Sequence, residues 1–593
     1  MAASTLIEVM NTHVQADKDT SLECWNAKTR SYSAVRYSTL SQRAFAFGQR
    51  LIDASSATSI KGRIVMIACH SPYATLLSFY GAISVGAIPM IFPMPLSLGS
   101  HEALSYRIKH WGFAFDDPAL LILEEELEEK FHQEIPAEIK VVRLSDDPNI
   151  DWPTLEKSAN NHQPEANDIA FFQTTSSSTG DHKAVSISHH NIISNITGIR
   201  NAVDMQENER MATWLPLFHD MGLVGTVLFS FCNDYTLFIM TPTQFVKRPA
   251  VWLKTMHEQK CTIATAPNFG FDYCSRLVSE KDRDAMDLSH VKHLFIGAEP
   301  IRVSTIASFL EKFGPCGIDA QVIRPAYGLA ESTIITSISS HQRLAEFICI
   351  ESDSISIGEP IKILDTLSFA KKDLARYDAS KSVAVCTAGT AIDDMSIRII
   401  DEQGMSITEE GITGEITIRG GSVAMGYVWG GDELIERFDA NDYTRTGDIG
   451  VVHKGEIYIL ERIKNIVIRN GENYLVSALE EQLAVLLDIS HEHVAVFESN
   501  IHDPSSDIVV LVERHKPISD EKINHLLVAM PKEAFPINRI LLAQSREIPR
   551  TTSGKKRHFY CRKLYQKNEM KFHQDIEVSP QRIMQAQNAI QDS

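Results

Sequence analysis

Residues 173 to 185 read QTTSSSTGDHKAV: six hydroxyl side chains in succession, Thr174 to Thr179, then Gly180 and, three residues on, Lys183. Hydroxyl donors, small residues that let backbone N–H groups approach, a glycine and one cation are what a site needs to hold an oxyanion such as phosphate. Serine and threonine runs also make plain polar loops, because their side chains compete with helix and sheet for backbone hydrogen bonds. Composition alone leaves both readings open, and the Walker spacing G-x-x-x-x-G-K-[ST] is absent. A second stretch, PRTTSGKKR at 549–557, ends in Lys555, Lys556 and Arg557. Such a run either brings a cation to an anionic reaction centre or is a solvated basic surface. A third, FHDMG, sets His219 and Asp220 among apolar residues, where an isolated histidine is usually a satisfied core group.

These stretches need a scaffold. DIAFFQ before the hydroxyl run and AVSIS after it read as strands, so the cluster sits at a strand-to-strand turn. Upstream and downstream, helical patterns such as STLSQRAFAFGQRLIDA alternate with short apolar runs, RIVMIAC, LFIM and HLFIGAEP, as expected of α/β layers. From about Thr413 the texture becomes β-rich, with GEITIRG and GEIYILERIKNIVIRNG. After Gly471 a helix at SALEEQLAVLL, strands at HVAVFES and DIVVLVERH and a helix at EKINHLLVAM suffice for a small second domain. The final residues, from about Phe572, lack strand-like runs and suit an appended helix or a loose tail.

The chain has 593 residues, enough for two to four domains. Its net charge of −19 disfavours a general nucleic-acid binder, whose affinity comes from clustered Lys and Arg. Nine cysteines without any C-x-x-C pair suit a reducing compartment. The start, MAASTLIEVMNTH, lacks the basic and apolar regions of a signal peptide, so the cytoplasm is the expected location. Ser71 to Ser100 carries no charge and has the length of a membrane span, but Pro89, Pro93 and Pro95 with Gly81 and Gly86 break it. A buried helix at about 72–84 and a strand at about 87–92 are expected there instead, and no membrane span. Against the acidic whole, 539–571 holds ten Lys and Arg and only Glu547 and Glu569. This segment either steers an acidic partner or only aids solubility.

Eight segments, TTSSSTGDHKAV, WLPLFHDMGL, IGAEP, YGLAES, GEITIRGGSVAMGY, TGD, ERIKNIVIRNG and PRTTSGKKR, follow one another in an order that resembles the adenylate-forming acyl-activating enzymes. The resemblance covers about 37 to 565. WLPLFHDMGLVG, APNFGFDYC and the long interval from Ser332 to Gly389 are similar to the fatty acyl-AMP ligase branch, whose insertion there restrains the small domain and disfavours coenzyme A. It implies the acyl-activating enzyme fold: a large N-terminal region, 1–463, of mixed sheets flanked by helices with a β-rich subdomain, and a small mobile α/β C-terminal domain, 464–593. It implies activation of a medium- or long-chain fatty acid by ATP with Mg²⁺, then acyl transfer to an acyl carrier protein. A fatty acyl-CoA synthetase and an inactive nucleotide-binding scaffold are the alternatives.

By the same resemblance Thr175, Ser176, Ser177, Ser178, Thr179, Gly180 and Lys183 grip the outer phosphates, although Ser177, His182 and Ala184 depart from the usual pattern there. Gly297, Ala298 and Glu299 line the adenine pocket, Tyr327 stacks on the base, Gly328 is among the nucleotide-binding residues, and Glu331 holds Mg²⁺. Asp448 and Arg462 contact the ribose, and Lys464 is the hinge. His219, Asp220, Met221 and Gly222 border the acyl channel, with His219 as its gate. Lys555 is the cation between the incoming carboxylate and the α-phosphate.

Overall fold

The short, continuously apolar runs become strands buried on both faces, which is how parallel sheets covered by helices are built. The computed structural model describes the chain apart from residues 1–2, 56–58, 95–100, 116–117, 126–134, 146, 148–152, 158–161, 175–182, 352–355, 379–381, 430–435, 439–441, 470–471, 502–505, 515, 530–536, 551–554 and 592–593. Its largest sheet has nine strands in the order Thr390–Ala391, Ser337–Ile338, Ile323–Tyr327, His293–Gly297, Ile263–Pro267, Arg210–Thr213, Thr236–Ile239, Ser21–Asn26 and Ser31–Arg36. The six from Ile323–Tyr327 to Ser21–Asn26 run parallel.

The uncharged stretch folds as its prolines and glycines require. Ser71 caps a buried helix, Pro72–Ser84, by accepting from Ala74 N, and Pro72 starts it at a position where no N–H is needed. The strand Ile88–Ile91 follows and joins a four-stranded parallel sheet with Ile64–Ala68, Leu120–Glu124 and Lys140–Leu144. Among the described residues no helix is long and apolar enough to cross a membrane.

The expected strands around the hydroxyl run are present. Ile169–Thr174 and Lys183–Ser188 pair antiparallel, and Gly426–Trp429 adds to the far side of Lys183–Ser188. The β-rich part is a five-stranded sheet containing Gly414–Gly420, Thr444–His453 and Glu456–Arg462. The interval between Ser332 and Gly389 supplies a three-stranded sheet of Glu346–Ile350, Ile363–Ser368 and Val383–Cys386.

Beyond Arg462 the chain forms its own core, in which Leu479, Leu483, Val496, Val510, Leu527 and Ile540 are buried together. One expectation is corrected here. The residues after Phe572 do hold an appended helix, Pro580–Gln591, but an unexpected edge strand, Gln574–Glu577, paired antiparallel with Arg539–Ala543, precedes it. The strand escapes sequence patterning because only Ile576 of its four residues is apolar and buried. The nine cysteines are all free thiols.

Candidate active site

Three neighbouring parallel strands, Ile263–Pro267, His293–Gly297 and Ile323–Tyr327, end on one edge of the large sheet. Ligands of open α/β sheets bind outside such carboxyl ends. The first strand is followed by Phe269, whose backbone N–H donates to Glu299 Oε1 at 2.7 Å. The second runs into Ala298, held at φ 66°, a left-handed conformation that a non-glycine residue adopts only when its surroundings impose it. The third ends in Tyr327 and Gly328, where any side chain would strike the carbonyl oxygen of Ile334, 1.6 Å from an added Cβ.

The Tyr327 hydroxyl donates to Asp448 Oδ2 at 2.7 Å, and Arg462 Nε stands 3.0 Å from Asp448 Oδ1. Asp448 and Arg462 are register partners on adjacent strands, so the pairing of Thr444–His453 with Glu456–Arg462 places the carboxylate beside its cation. Tyr327 is pushed well above the usual phenol range, first by burial and then by the Asp448 charge. Asp448 raises Arg462 above its ordinary value in turn. Lys464, in the short helix Ile463–Asn465, lies within electrostatic reach of Arg462, Asp448, Lys183 and Glu331.

Thr175, Ser176, Ser177, Ser178, Thr179 and Gly180 lie outside the described residues, but the strands on either side of them are defined. Lys183 opens the second strand. Its ammonium is 3.3 Å from the ring centroid of Tyr427 and 5.7 Å from that of Trp429. A cation on an aromatic face gains about 0.5–2 kcal/mol, less than a charge-assisted bond to a phosphate offers. The Tyr427 hydroxyl donates to Glu331 Oε1. That carboxylate retains lone pairs for a further partner, and among the described residues no cluster of three His, Cys, Asp or Glu forms a protein cage for a metal. One carboxylate completed by phosphate oxygens and water is a donor set that fits Mg²⁺.

Lys556, next to Lys555, forms an isolated antiparallel bridge with Arg550. Lys556 points inward and donates to the Glu480 carboxylate and to the carbonyls of His491 and Val494. The Lys555 ammonium is within electrostatic reach of Asp220, Arg462, Glu299 and Asp448; desolvation lowers its pKa and the carboxylates oppose that. Lys555 therefore shares one site with Asp220, Glu299 and Asp448. His219 Nδ1 stands 2.6 Å from Asp220 Oδ1 and 3.2 Å from Met221 N. Burial would raise Asp220, but His219 and Lys555 outweigh it and hold the carboxyl below its usual range. Gly222 is packed so closely that a Cβ there would lie 2.2 Å from Pro216 O, which fixes the turn carrying His219 against the preceding backbone.

The sequence profile of the AMP-binding enzymes matches residues 15–428. The chain belongs to that family. Within it, the fatty acyl-AMP ligase branch is where its relatives lie: the long-chain-fatty-acid–AMP ligase FadD32 of Mycolicibacterium smegmatis is 30% identical, the match covering 85% of each chain. The medium-chain-fatty-acid–[acyl-carrier-protein] ligase TtuA of Teredinibacter turnerae is 31% identical over 65% of this chain and 62% of its own. A structure from a study of fatty acyl-adenylate ligases of E. coli and L. pneumophila superposes with a TM-score of 0.78, at 25% identity, covering 95% of this chain and 98% of that one.

For an AMP-binding enzyme of this branch, two contributions at the site escape motif reading. Tyr427 lies in the quoted GGSVAMGY segment, yet only the strand pairing reveals that it touches both Lys183 and Glu331. The second is a seam between the large sheet region and the residues after 463. Arg302 Nη1 stands 3.2 Å from Glu481 Oε2, both side chains largely buried, and Ser477 N donates to Glu461 Oε2 at 3.0 Å. Glu481 sits in the stretch SALEEQLAVLL that reads as a helix, and no sequence signal pairs it with Arg302. Across the same seam Glu299 is raised above the usual carboxyl range, by burial first and then by Glu492.

Proposed function

We propose that this AMP-binding enzyme activates a medium- or long-chain fatty acid with ATP, releases pyrophosphate and passes the acyl group to the phosphopantetheine thiol of an acyl carrier protein. The observation that carries the reading is the convergence of Lys555 with Asp448, Asp220 and Glu299 beside Tyr327 and Arg462. A cation from one end of the chain faces carboxylates supplied by the other. The printed names of relatives that form fatty acyl-AMP and acyl carrier protein thioesters support the same chemistry.

In the first half-reaction a fatty-acid carboxylate oxygen bonds to the α-phosphorus and the bond from that phosphorus to the bridging oxygen breaks, with pyrophosphate leaving. Two anions must approach, so a cation between them lowers the barrier most where charge concentrates. Lys555 takes that role. Asp448 and Arg462 hold the ribose, Tyr327 and the turn at Gly297, Ala298 and Glu299 hold the base, and Lys183 with the hydroxyl run holds the outer phosphates. His219, Asp220, Met221 and Gly222 border the acyl entry. Glu331 would hold Mg²⁺, which when bound neutralises phosphate charge.

In the second half-reaction the thiol sulfur bonds to the acyl carbonyl carbon, the carbonyl–phosphate oxygen bond breaks, and AMP leaves. The unit 464–593 swings to admit the acceptor. An acceptor other than free coenzyme A is supported by the interval between Ser332 and Gly389: Ile348, Ile350, Val383 and Val385 share a core with Leu475 and Ala478, so this interval grips the start of that unit.

The test is a product assay over a fatty-acid series that separates pyrophosphate, free adenylate and thioester, with coenzyme A and a carrier protein as acceptors. Acid-dependent pyrophosphate release, and thioester on the carrier only, is the expected result. Efficient coenzyme A thioester formation would make it an acyl-CoA synthetase, and ATP binding without pyrophosphate release would make it a scaffold.

A further inference from the structure

Lys183 and Glu331 carry opposite charges and come from distant parts of the chain, yet one side chain touches both. Strand Gly426–Trp429 pairs antiparallel with Lys183–Ser188, with Trp429 opposite Lys183 and Tyr427 opposite Val185. Because side chains alternate along a strand, Tyr427 and Trp429 share the face on which Lys183 stands. The Tyr427 ring receives the ammonium at 3.3 Å and its hydroxyl donates to the Glu331 carboxylate. The ring is itself fixed edge-on by Phe438, with centroids 5.0 Å apart at 85°. Backbone ties the two ends further, since Ala424 N donates to Glu331 O at 2.9 Å and Met425 N to Ser186 O at 3.0 Å.

We infer that Tyr427 is a positioning residue that couples the phosphate-loop cation to the metal-holding carboxylate. Its hydroxyl aims one Glu331 oxygen and leaves the rest of the carboxylate for an ion, while its ring holds the Lys183 ammonium beside that ion's phosphates. A triphosphate drawing the ammonium off the ring leaves the hydroxyl bond intact, so the carboxylate stays oriented as the lysine moves. The residue touches no reacting atom. The inference rests on the roles proposed above for Glu331 and Lys183.

The experiment uses the full chain with a non-hydrolysable ATP analogue. Mn²⁺ binding to the enzyme–analogue complex is read by electron paramagnetic resonance, and analogue binding at saturating Mg²⁺ by calorimetry. Tyr427→Phe keeps the ring and removes the hydroxyl, Tyr427→Leu removes both, and Glu331→Gln removes the charge. Tyr427→Phe is expected to weaken Mn²⁺ binding about tenfold with analogue affinity within about twofold. Tyr427→Leu is expected to weaken analogue binding as well, and circular dichroism of each variant reports its fold. Wild-type Mn²⁺ binding in Tyr427→Phe together with its loss in Glu331→Gln would overturn the coupling alone. Unchanged Mn²⁺ binding in Glu331→Gln would overturn the role of Glu331, and the coupling with it. Equal loss of analogue affinity in the Phe and Leu variants would overturn the ring's role.

Discussion

The Lys556 ammonium is locked onto the Glu480 carboxylate, with the carbonyls of Val494 and His491 at 2.7 and 3.1 Å completing its bonds. Since successive side chains of an extended segment point to opposite sides, this lock turns its neighbour Lys555 away from Glu480 and towards Asp220, Glu299 and Asp448. Lys556→Ala leaves the buried Glu480 carboxylate with His558 as its one remaining basic partner among the described residues and, as the breaking of a buried pair, is expected to cost about 3–5 kcal/mol. Chemical denaturation followed by tryptophan-independent far-ultraviolet dichroism measures this, and a stability equal to wild type would contradict it.

The same pair sets an acid response. Burial would raise Glu480, but Lys556 and His558 outweigh it and hold the carboxyl at about 2, against an ordinary value of 4.5. A depressed carboxyl contributes stability that is complete above its unfolded value and is lost as pH falls through its folded value. The difference between wild type and Glu480→Gln is therefore expected to be constant from neutral pH down to about 4.5 and to close as pH falls towards 2. Melting temperatures of both proteins across that range check it, and a gap that widens in acid would contradict it.

Asp448 joins Tyr327 and Arg462 in one hydrogen-bonded group. Asp448→Asn keeps the shape but removes the charge that Arg462 faces and, on the ribose role proposed for Asp448, weakens its acceptance from the hydroxyls. Affinity for AMP is expected to fall by about 1.5–3 kcal/mol, the worth of hydrogen bonds to a charged group. Calorimetric titration with AMP reads it directly, and unchanged affinity would remove Asp448 from the nucleotide site.

Ile350 and Val385 of the three-stranded sheet between Ser332 and Gly389 share a core with Leu475 and Ala478. Replacing both by Ser weakens that grip, at about 1.5–3 kcal/mol for each buried side chain. Thioester formation with free coenzyme A is expected to rise above background while adenylate formation is kept, measured by chromatography of both products. Loss of adenylate formation without any coenzyme A product would argue against a restraining role.

Much of the fold was legible because buried parallel strands announce themselves as continuous apolar runs, as at Ile64–Ala68 and His293–Gly297. The uncharged stretch resolved correctly because Pro and Gly forbid a spanning helix. Gln574–Glu577 was not legible, since an edge strand with a single buried apolar residue carries no period. At the site, ordered motifs led to Tyr327, Asp448, Arg462 and Lys555, which the structure brings together. Tyr427 and the Arg302–Glu481 contact were hidden for another reason. Their meaning lies in partners supplied by remote strands and helices, and a tyrosine or an arginine has no local signature of what it will face.

On the proposed reading, Lys555 acts on the α-phosphate at a site whose nucleotide contacts lie elsewhere in the chain. Fatty-acid-dependent exchange of pyrophosphate into ATP, measured for wild type and Lys555→Ala at saturating ATP, tests it most directly. Exchange is expected to fall about 10²–10³-fold while AMP binding and thermal stability stay near wild type. Exchange at the wild-type rate in Lys555→Ala would contradict it.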